Sequence, residues 1–143
     1  MQQNCVFCKI VAGELPSATL YEDELVLAFL DIAPVNKGHA LVIPKEHHES
    51  ITTVPAAASA RMIALAAQLG VALQRAVDAD GFDLVLANGA CAGQVVPHAH
   101  LHVIPRHPDD GVVLPSRTVE YASESEKAEI LAAVQSRLER RFS

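Results

Sequence analysis

Three histidines stand two residues apart in the run PHAHLHVIPR, Pro97 to Arg106: His98, His100 and His102. A β-strand sends successive side chains to opposite faces, so this spacing predicts three imidazoles on one face and Ala99, Leu101 and Val103 on the other. At about 3.3 Å of rise per residue the outer two Cα atoms stand roughly 13 Å apart. Zinc needs each ligand nitrogen at about 2 Å, which argues against one ion held by all three rings. The row suits proton transfer and nucleophilic attack instead, because neutral imidazole is a competent nucleophile that titrates near neutral pH. The competing reading is a histidine-rich edge strand, but three polar rings among Ala, Leu, Val and Ile are costly to bury without a use.

Other residues carry chemistry on their own evidence. Cys5 and Cys8, two residues between them, make half of a zinc site. Its completion needs two further ligands, with His39, His47, His48 and the triad histidines as candidates. A redox pair and two small buried residues are the alternatives. Asp31 stands near the end of the apolar run LVLAFLDI, residues 25–32. A carboxylate there caps the turn toward Pro34 or accepts hydrogen bonds from the vicinal hydroxyls of a nucleoside. Asn88 to Gln94 is a glycine-containing loop just before the triad, in which glycine lets backbone approach a phosphate. It lacks the Lys-Ser/Thr ending of a Walker loop. Cys91 in that loop is read as incidental.

These residues need elements to hold them. Lys9 to Pro16 reads as a short helical turn and Leu20 to Tyr21 as a brief strand. Buried strands follow from Leu25 and over Gly38 to Pro44. Between Val54 and Ala79, Met62, Leu65, Leu69, Leu73 and Val77 recur every three or four residues, predicting an amphipathic helix capped by Thr53 and ended by Gly81. Phe82 to Asn88 reads as a strand that forms a hairpin with the triad strand. Ser123 and Glu126 form a capping box for a last helix striped by Ile130, Leu131, Val134 and Leu138, with Arg137, Arg140 and Arg141 near its C-terminal dipole.

With 143 residues, half apolar and a fifth charged, the chain reads as one soluble domain. Its net charge of −6 argues against a nucleic-acid backbone binder. No run of about 18 residues is uniformly apolar, so no membrane span is expected. MQQNCVFCKI lacks the features of a secretory signal, and a cytoplasmic location is the expectation.

The triad run, Ala92-Gly93-Gln94 before it, Ile104-Pro105-Arg106 after it, FCKIVAGELPS, AFLDI and GHALVIPKEH together resemble the histidine triad (HIT) superfamily of nucleotide hydrolases and transferases. The likeness spans about residues 4 to 106. It implies an α+β, HIT-like fold: an antiparallel sheet of about five strands with a packed helix, and a C-terminal loop and helix over 107–143, all one HIT domain. It implies a hydrolase of purine nucleoside phosphoramidates or adenylates that releases AMP, with His100 as nucleophile, His102 assisting and His98 orienting. The alternatives are a dinucleoside polyphosphate hydrolase and a zinc-stabilised nucleotide-binding module with little catalysis. By the same resemblance Asp31 holds the ribose, Val6, Phe7, Ile10, Phe29 and Ile32 enclose the base, and Asn88 and Gln94 contact the phosphate. The resemblance also implies a structural zinc held by Cys5, Cys8, His47 and His98, and a homodimer. His39 is expected to be structural and His48 exposed. One departure is Val95, where many amine-releasing members carry a hydroxyl residue.

Overall fold

The computed structural model describes residues 2–113 and 117–142, with side chains described as far as residue 138. The chain forms two compact units, Met1–Val112 and Val113–Ser143. In the first, helix α1 (Val6–Val11) precedes strands β1 (Thr19–Glu22), β2 (Val26–Leu30) and β3 (Ala40–Pro44), helix α2 (Ala56–Ala76), and strands β4 (Gly81–Val85) and β5 (Leu101–Arg106). The strands form one antiparallel sheet in the order β1-β2-β3-β5-β4.

Both faces of the sheet are covered, so every residue of β3 is buried. On one face α2 lays Ala58, Met62, Ala66, Leu69 and Leu73, spaced three or four apart, over Val26, Ala28, Ala40, Val42, Leu101 and Val103. Gly70 of this helix lies so close to the Phe82 ring that a Cβ there would collide with it. The alternate residues Leu27, Phe29, Leu41 and Ile43 face the other way and bury Phe7, Cys5 and Cys8 of the α1 segment. That second face is the one to which β5 turns His102.

Several boundaries differ from expectation. α1 begins earlier than Lys9 because Cys5 is its N-cap, its Sγ accepting the Cys8 N–H at 3.4 Å. α2 begins after Pro55, whose fixed φ and missing N–H suit a helix start, and Thr53 belongs to a separate 3-10 turn, Ile51–Thr53. The helix ends at Ala76, with Asp78 left-handed at φ 54°, and Gly81 opens β4 opposite Arg106. β5 is shorter than Pro97 to Arg106. Its pairing with β3 starts at Leu101, because the Ala99 N–H instead donates to the His48 carbonyl at 2.6 Å.

The far end of β5 is anchored by charge. Arg106 donates to Asp83 of β4 at 2.6 Å and to Asp110 at 2.8 Å, and Asn36 donates to the Pro105 carbonyl and to Asp110, both at 2.9 Å. In the second unit, helix α3 (Glu124–Phe142) opens with Ser123 Oγ accepting the Glu126 N–H, while Glu126 reaches back to the Ala122 N–H. Ile130, Leu131, Val134 and Leu138 are each about half exposed. The side chains of Arg140 and Arg141 lie outside the described residues.

Candidate functional site

The triad crosses from irregular chain into β5. His98 is fully buried, His100 nearly so, and only His102 lies within the strand. His100 and His102 are neighbours, ring centroids 4.9 Å apart, and the Phe7 ring stands edge-on to His100 at 5.1 Å and to His98 at 5.7 Å. One aromatic residue of α1 therefore touches both rings.

Hydrogen bonds fix where each proton sits. His100 Nδ1 lies 2.7 Å from the His98 carbonyl, which only accepts, so in the neutral ring Nδ1 carries the proton and Nε2 the lone pair. That Nε2 has no partner among the described residues. His39 Nδ1 accepts the Val35 N–H at 3.0 Å, which places the proton of a neutral His39 on Nε2. His39 Nε2 lies 2.9 Å from His102 Nδ1, so His102 accepts there and carries its own proton on Nε2. The outcome is an unengaged lone pair on His100 Nε2 beside a donor N–H on His102.

Electrostatics keep the donor uncharged. Burial, then the neighbouring His100 and His39, push His102 down to about 4, against a smaller opposing pull from Asp31. Burial also lowers His39. The depressed folded-state value has a sign. The unfolded ring, with its ordinary value of 6.5, binds the proton first, so this stability is complete above about pH 6.5 and is lost as pH falls toward about 4. The thermal midpoint is expected to fall over that window, and His102→Asn to flatten the fall; a profile equally steep in the variant would show that His102 does not contribute.

His39, expected to be structural, is thus the orienting partner of His102, and Asp31 Oδ2 lies 3.6 Å from its Nε2. A single histidine at a strand start carries no periodic signal, and only the β3–β5 register, with Leu41 opposite His102, brings it here. The same bonds argue against a metal among Asp31, His39 and His102: the Val35 N–H occupies His39 Nδ1, so the nitrogen facing the cluster is the protonated one. Asp31 also caps its turn, accepting the Ala33 N–H at 2.9 Å.

Cys5, Cys8, His47 and His98 bring their ligand atoms within 4.8 Å of one another. His98 Nδ1 lies 3.4 Å from Cys5 Sγ and 3.7 Å from Cys8 Sγ, and His47 Nδ1 lies 3.3 Å from Cys8 Sγ. Tetrahedral zinc with bonds of about 2.3 Å to sulfur and 2.05 Å to nitrogen separates neighbouring N and S ligands by about 3.6 Å. Tautomer agrees with spacing, since His98 Nε2 donates to the Pro44 carbonyl at 2.8 Å and leaves Nδ1 unprotonated toward the sulfurs. Burial holds His98 neutral, down to about 4, and raises the Cys5 thiol, a cost that a cation among these ligands offsets. The donor set fits zinc.

The remaining predicted residues divide. Phe7 and Phe29 pack edge to face at 5.7 Å with half-buried Ile10 against them, whereas Val6 is 40% exposed and Ile32 99% exposed, both outside that cluster. Asn88 accepts from Ser50 Oγ and the Ile51 N–H, and Gln94 ties the Gly89 N–H to the Glu49 and Val96 carbonyls. Both polar side chains brace the loop before the triad, which also ends β4 at Val85 rather than Asn88. Val95 is almost fully exposed. His48, expected to be exposed, is largely buried, with its Nδ1 3.2 Å from Thr53 Oγ1.

Comparison with known proteins places this geometry. The HIT domain family profile matches residues 12–109. An uncharacterized HIT-like protein of Methanocaldococcus jannaschii is 46% identical over 77% of this chain and 84% of its own length. An adenylylsulfatase of Arabidopsis thaliana is 43% identical over 77% of this chain and 56% of its own. An adenosine 5′-monophosphoramidase of Schizosaccharomyces pombe is 42% identical over 72% and 74%. Among solved structures, a Streptococcus mutans protein superposes with a TM-score of 0.89 at 39% identity, covering 96% of this chain and 87% of its own. A zinc-bound histidine triad family protein of Mycobacterium smegmatis gives 0.72 at 39%, covering 93% and 96%. With the profile spanning the sheet and the triad, and relatives this similar across most of their shared length, the chain belongs to the HIT domain family.

Proposed function

We propose that the chain is a nucleotide hydrolase that cleaves purine nucleoside phosphoramidates or adenylates and releases AMP through a nucleotidyl-His100 intermediate. The observation that carries this reading is the proton placement at His100. Its Nε2 lone pair attacks phosphorus as the bond to the leaving group breaks, an amine taking a proton from solvent and an acid departing as its anion; water then attacks phosphorus, gives up a proton to solvent and breaks the phosphorus–nitrogen bond, freeing AMP and the neutral imidazole. As positive charge develops on the ring, the His98 carbonyl already accepts its Nδ1–H at 2.7 Å. Neutral His102 offers its Nε2–H to a non-bridging phosphate oxygen, where charge grows in the transition state. His39 positions it.

The names of the Arabidopsis and fission-yeast relatives support a substrate with an adenylyl group. Phe7, Ile10 and Phe29 offer an apolar wall for a base, and Asp31 a carboxylate for ribose hydroxyls. Cys5, Cys8, His47 and His98 would hold zinc with four protein ligands, and the metal there would supply a structural cross-link. The test follows AMP release from adenosine 5′-phosphoramidate and from a diadenosine polyphosphate. Release from the first supports this reading, and release from the second alone moves the assignment to polyphosphate hydrolysis. AMP binding without turnover of either leaves the zinc-stabilised binding module.

The proposed assembly is a homodimer. α2 is apolar along most of its length, yet Ile63 and Val71 are exposed on its outer side. Among the described residues β4 pairs with β5 alone and forms one edge of the sheet, with Leu84 partly exposed. A second copy covering both removes an apolar patch and an open edge together. Sedimentation is expected to give twice the 15.3 kDa chain mass, and Ile63→Glu with Val71→Glu to give the monomer. A parent chain sedimenting as a monomer would overturn the dimer.

A further inference from the structure

The metal cluster and the nucleophile share α1. Cys5 caps it, Cys8 lies in its first turn, and Phe7 between them packs on His98 and His100. A cation bound to both sulfurs and to His98 therefore clamps α1, and with it the Phe7 wall, against the triad segment. The two cysteines are also placed to react with each other. Helix radius and rise put positions three apart at a Cα separation of roughly 5 Å, inside the 4.4–6.8 Å range that a disulfide spans. Cys5 Sγ already reaches the Cys8 backbone N–H. Although both thiols are buried, Cys8 lines a surface cleft of about 330 Å³ bounded by Gln2, Gln3, Lys9, Ala12 and Glu14, through which a small oxidant can approach.

We propose that Cys5 and Cys8 form a redox latch, oxidised by a peroxide to a disulfide that releases the metal and unpins α1 from the triad. This rests on the zinc and hydrolase readings above. The Cys8 thiolate attacks the peroxide, breaking its O–O bond to give a sulfenic acid and hydroxide; Cys5 sulfur then attacks the sulfenic sulfur and expels a second hydroxide. Two electrons pass from the sulfurs to the peroxide, two protons convert the hydroxides to water, and zinc leaves with no thiolate to hold it. His98 keeps its bond to the Pro44 carbonyl, so the effect reaches His100 through the loosened Phe7.

The experiment uses the full chain carrying Cys91→Ser, which removes the exposed thiol that would otherwise react first. Zinc-loaded protein is titrated with hydrogen peroxide while zinc release, free thiols, intact mass and AMP release are followed. Expected are zinc release in step with loss of both thiols, a mass lower by two hydrogens, and AMP release reduced about tenfold, the scale of lost support around a site. Thiol reductant with zinc restores the rate. Oxygen added to the sulfurs without a disulfide, zinc retained after the disulfide forms, or a rate unchanged by zinc loss each overturns the latch. Protein purified under reductant that binds no zinc removes the metal reading and the latch with it. Absent AMP release before peroxide removes the hydrolase reading, while zinc and thiol counts still judge the chemistry of the pair.

Discussion

Replacing His100 with alanine is expected to lower AMP release from adenosine 5′-phosphoramidate about a thousandfold or more, with AMP still bound. The expectation follows from the division of labour in the triad. His100 is the member whose Nε2 lone pair is free, since His98 directs Nδ1 toward the cysteines and Nε2 to the Pro44 carbonyl, and His102 directs Nδ1 to His39. Neither neighbour can take over the attack without breaking those bonds. Removing the His102 donor, as in His102→Ala, is expected to cost about a hundredfold, the usual scale for one transition-state hydrogen bond. Single-turnover assays with intact-mass analysis check both: the parent gains the mass of a nucleotidyl group, and His100→Ala never does. If His100→Ala retained more than a tenth of the parent rate, covalent catalysis at this residue would be excluded.

The second large effect is on stability. Cys8→Ala is expected to abolish tight zinc binding and lower the thermal midpoint of the zinc-loaded protein by about 10 °C or more. Structural zinc contributes about 10–16 kcal/mol in peptides that fold only around it. Here the sheet has an apolar core on both faces, so only part of that is at stake, a few kcal/mol. The affected region is α1 and the stretch around His47 and His98, segments far apart in sequence that meet at the Cys5, Cys8, His47 and His98 cluster. Calorimetry of parent and variant, each with and without chelator, measures it. A chelator should lower the parent to the variant's midpoint and leave the variant unmoved, and two midpoints that already coincide with zinc present would exclude a structural metal.

What was legible in the sequence had a period or a short spacing. The Cys5–Cys8 gap and the three-four stripe of α2 each follow from the geometry of one element, whereas the two-residue rhythm of the triad belongs to a strand only at His102, with His98 and His100 in the irregular chain before β5. His39 was not legible in this way, because its role comes from antiparallel register between β3 and β5, strands separated in sequence by α2 and β4. Asp31 kept two readings from pattern alone, and the structure shows the turn cap together with proximity to His39. Asn88 and Gln94 stand where a phosphate contact is expected, yet their polar atoms bind backbone and Ser50, which no local pattern announces. The ends of α2 were misplaced because Pro55 and Asp78 set them, and neither interrupts the apolar stripe.

The bond between His100 Nδ1 and the His98 carbonyl separates two kinds of heritable information. Because that acceptor belongs to the main chain, no side-chain replacement at position 98 deletes it; the tautomer of His100 is encoded in the path of the backbone. The imidazole of His98 answers to the cysteines instead. A redesigned chain could therefore exchange Cys5, Cys8, His47 and His98 for a well-fitted apolar cluster, keep α1 and Phe7 in place, and inherit the reactive ring unchanged. On the proposed reading, zinc ligation and the tautomer of His100 are separable traits, one written in the side chain of His98 and the other in its main chain.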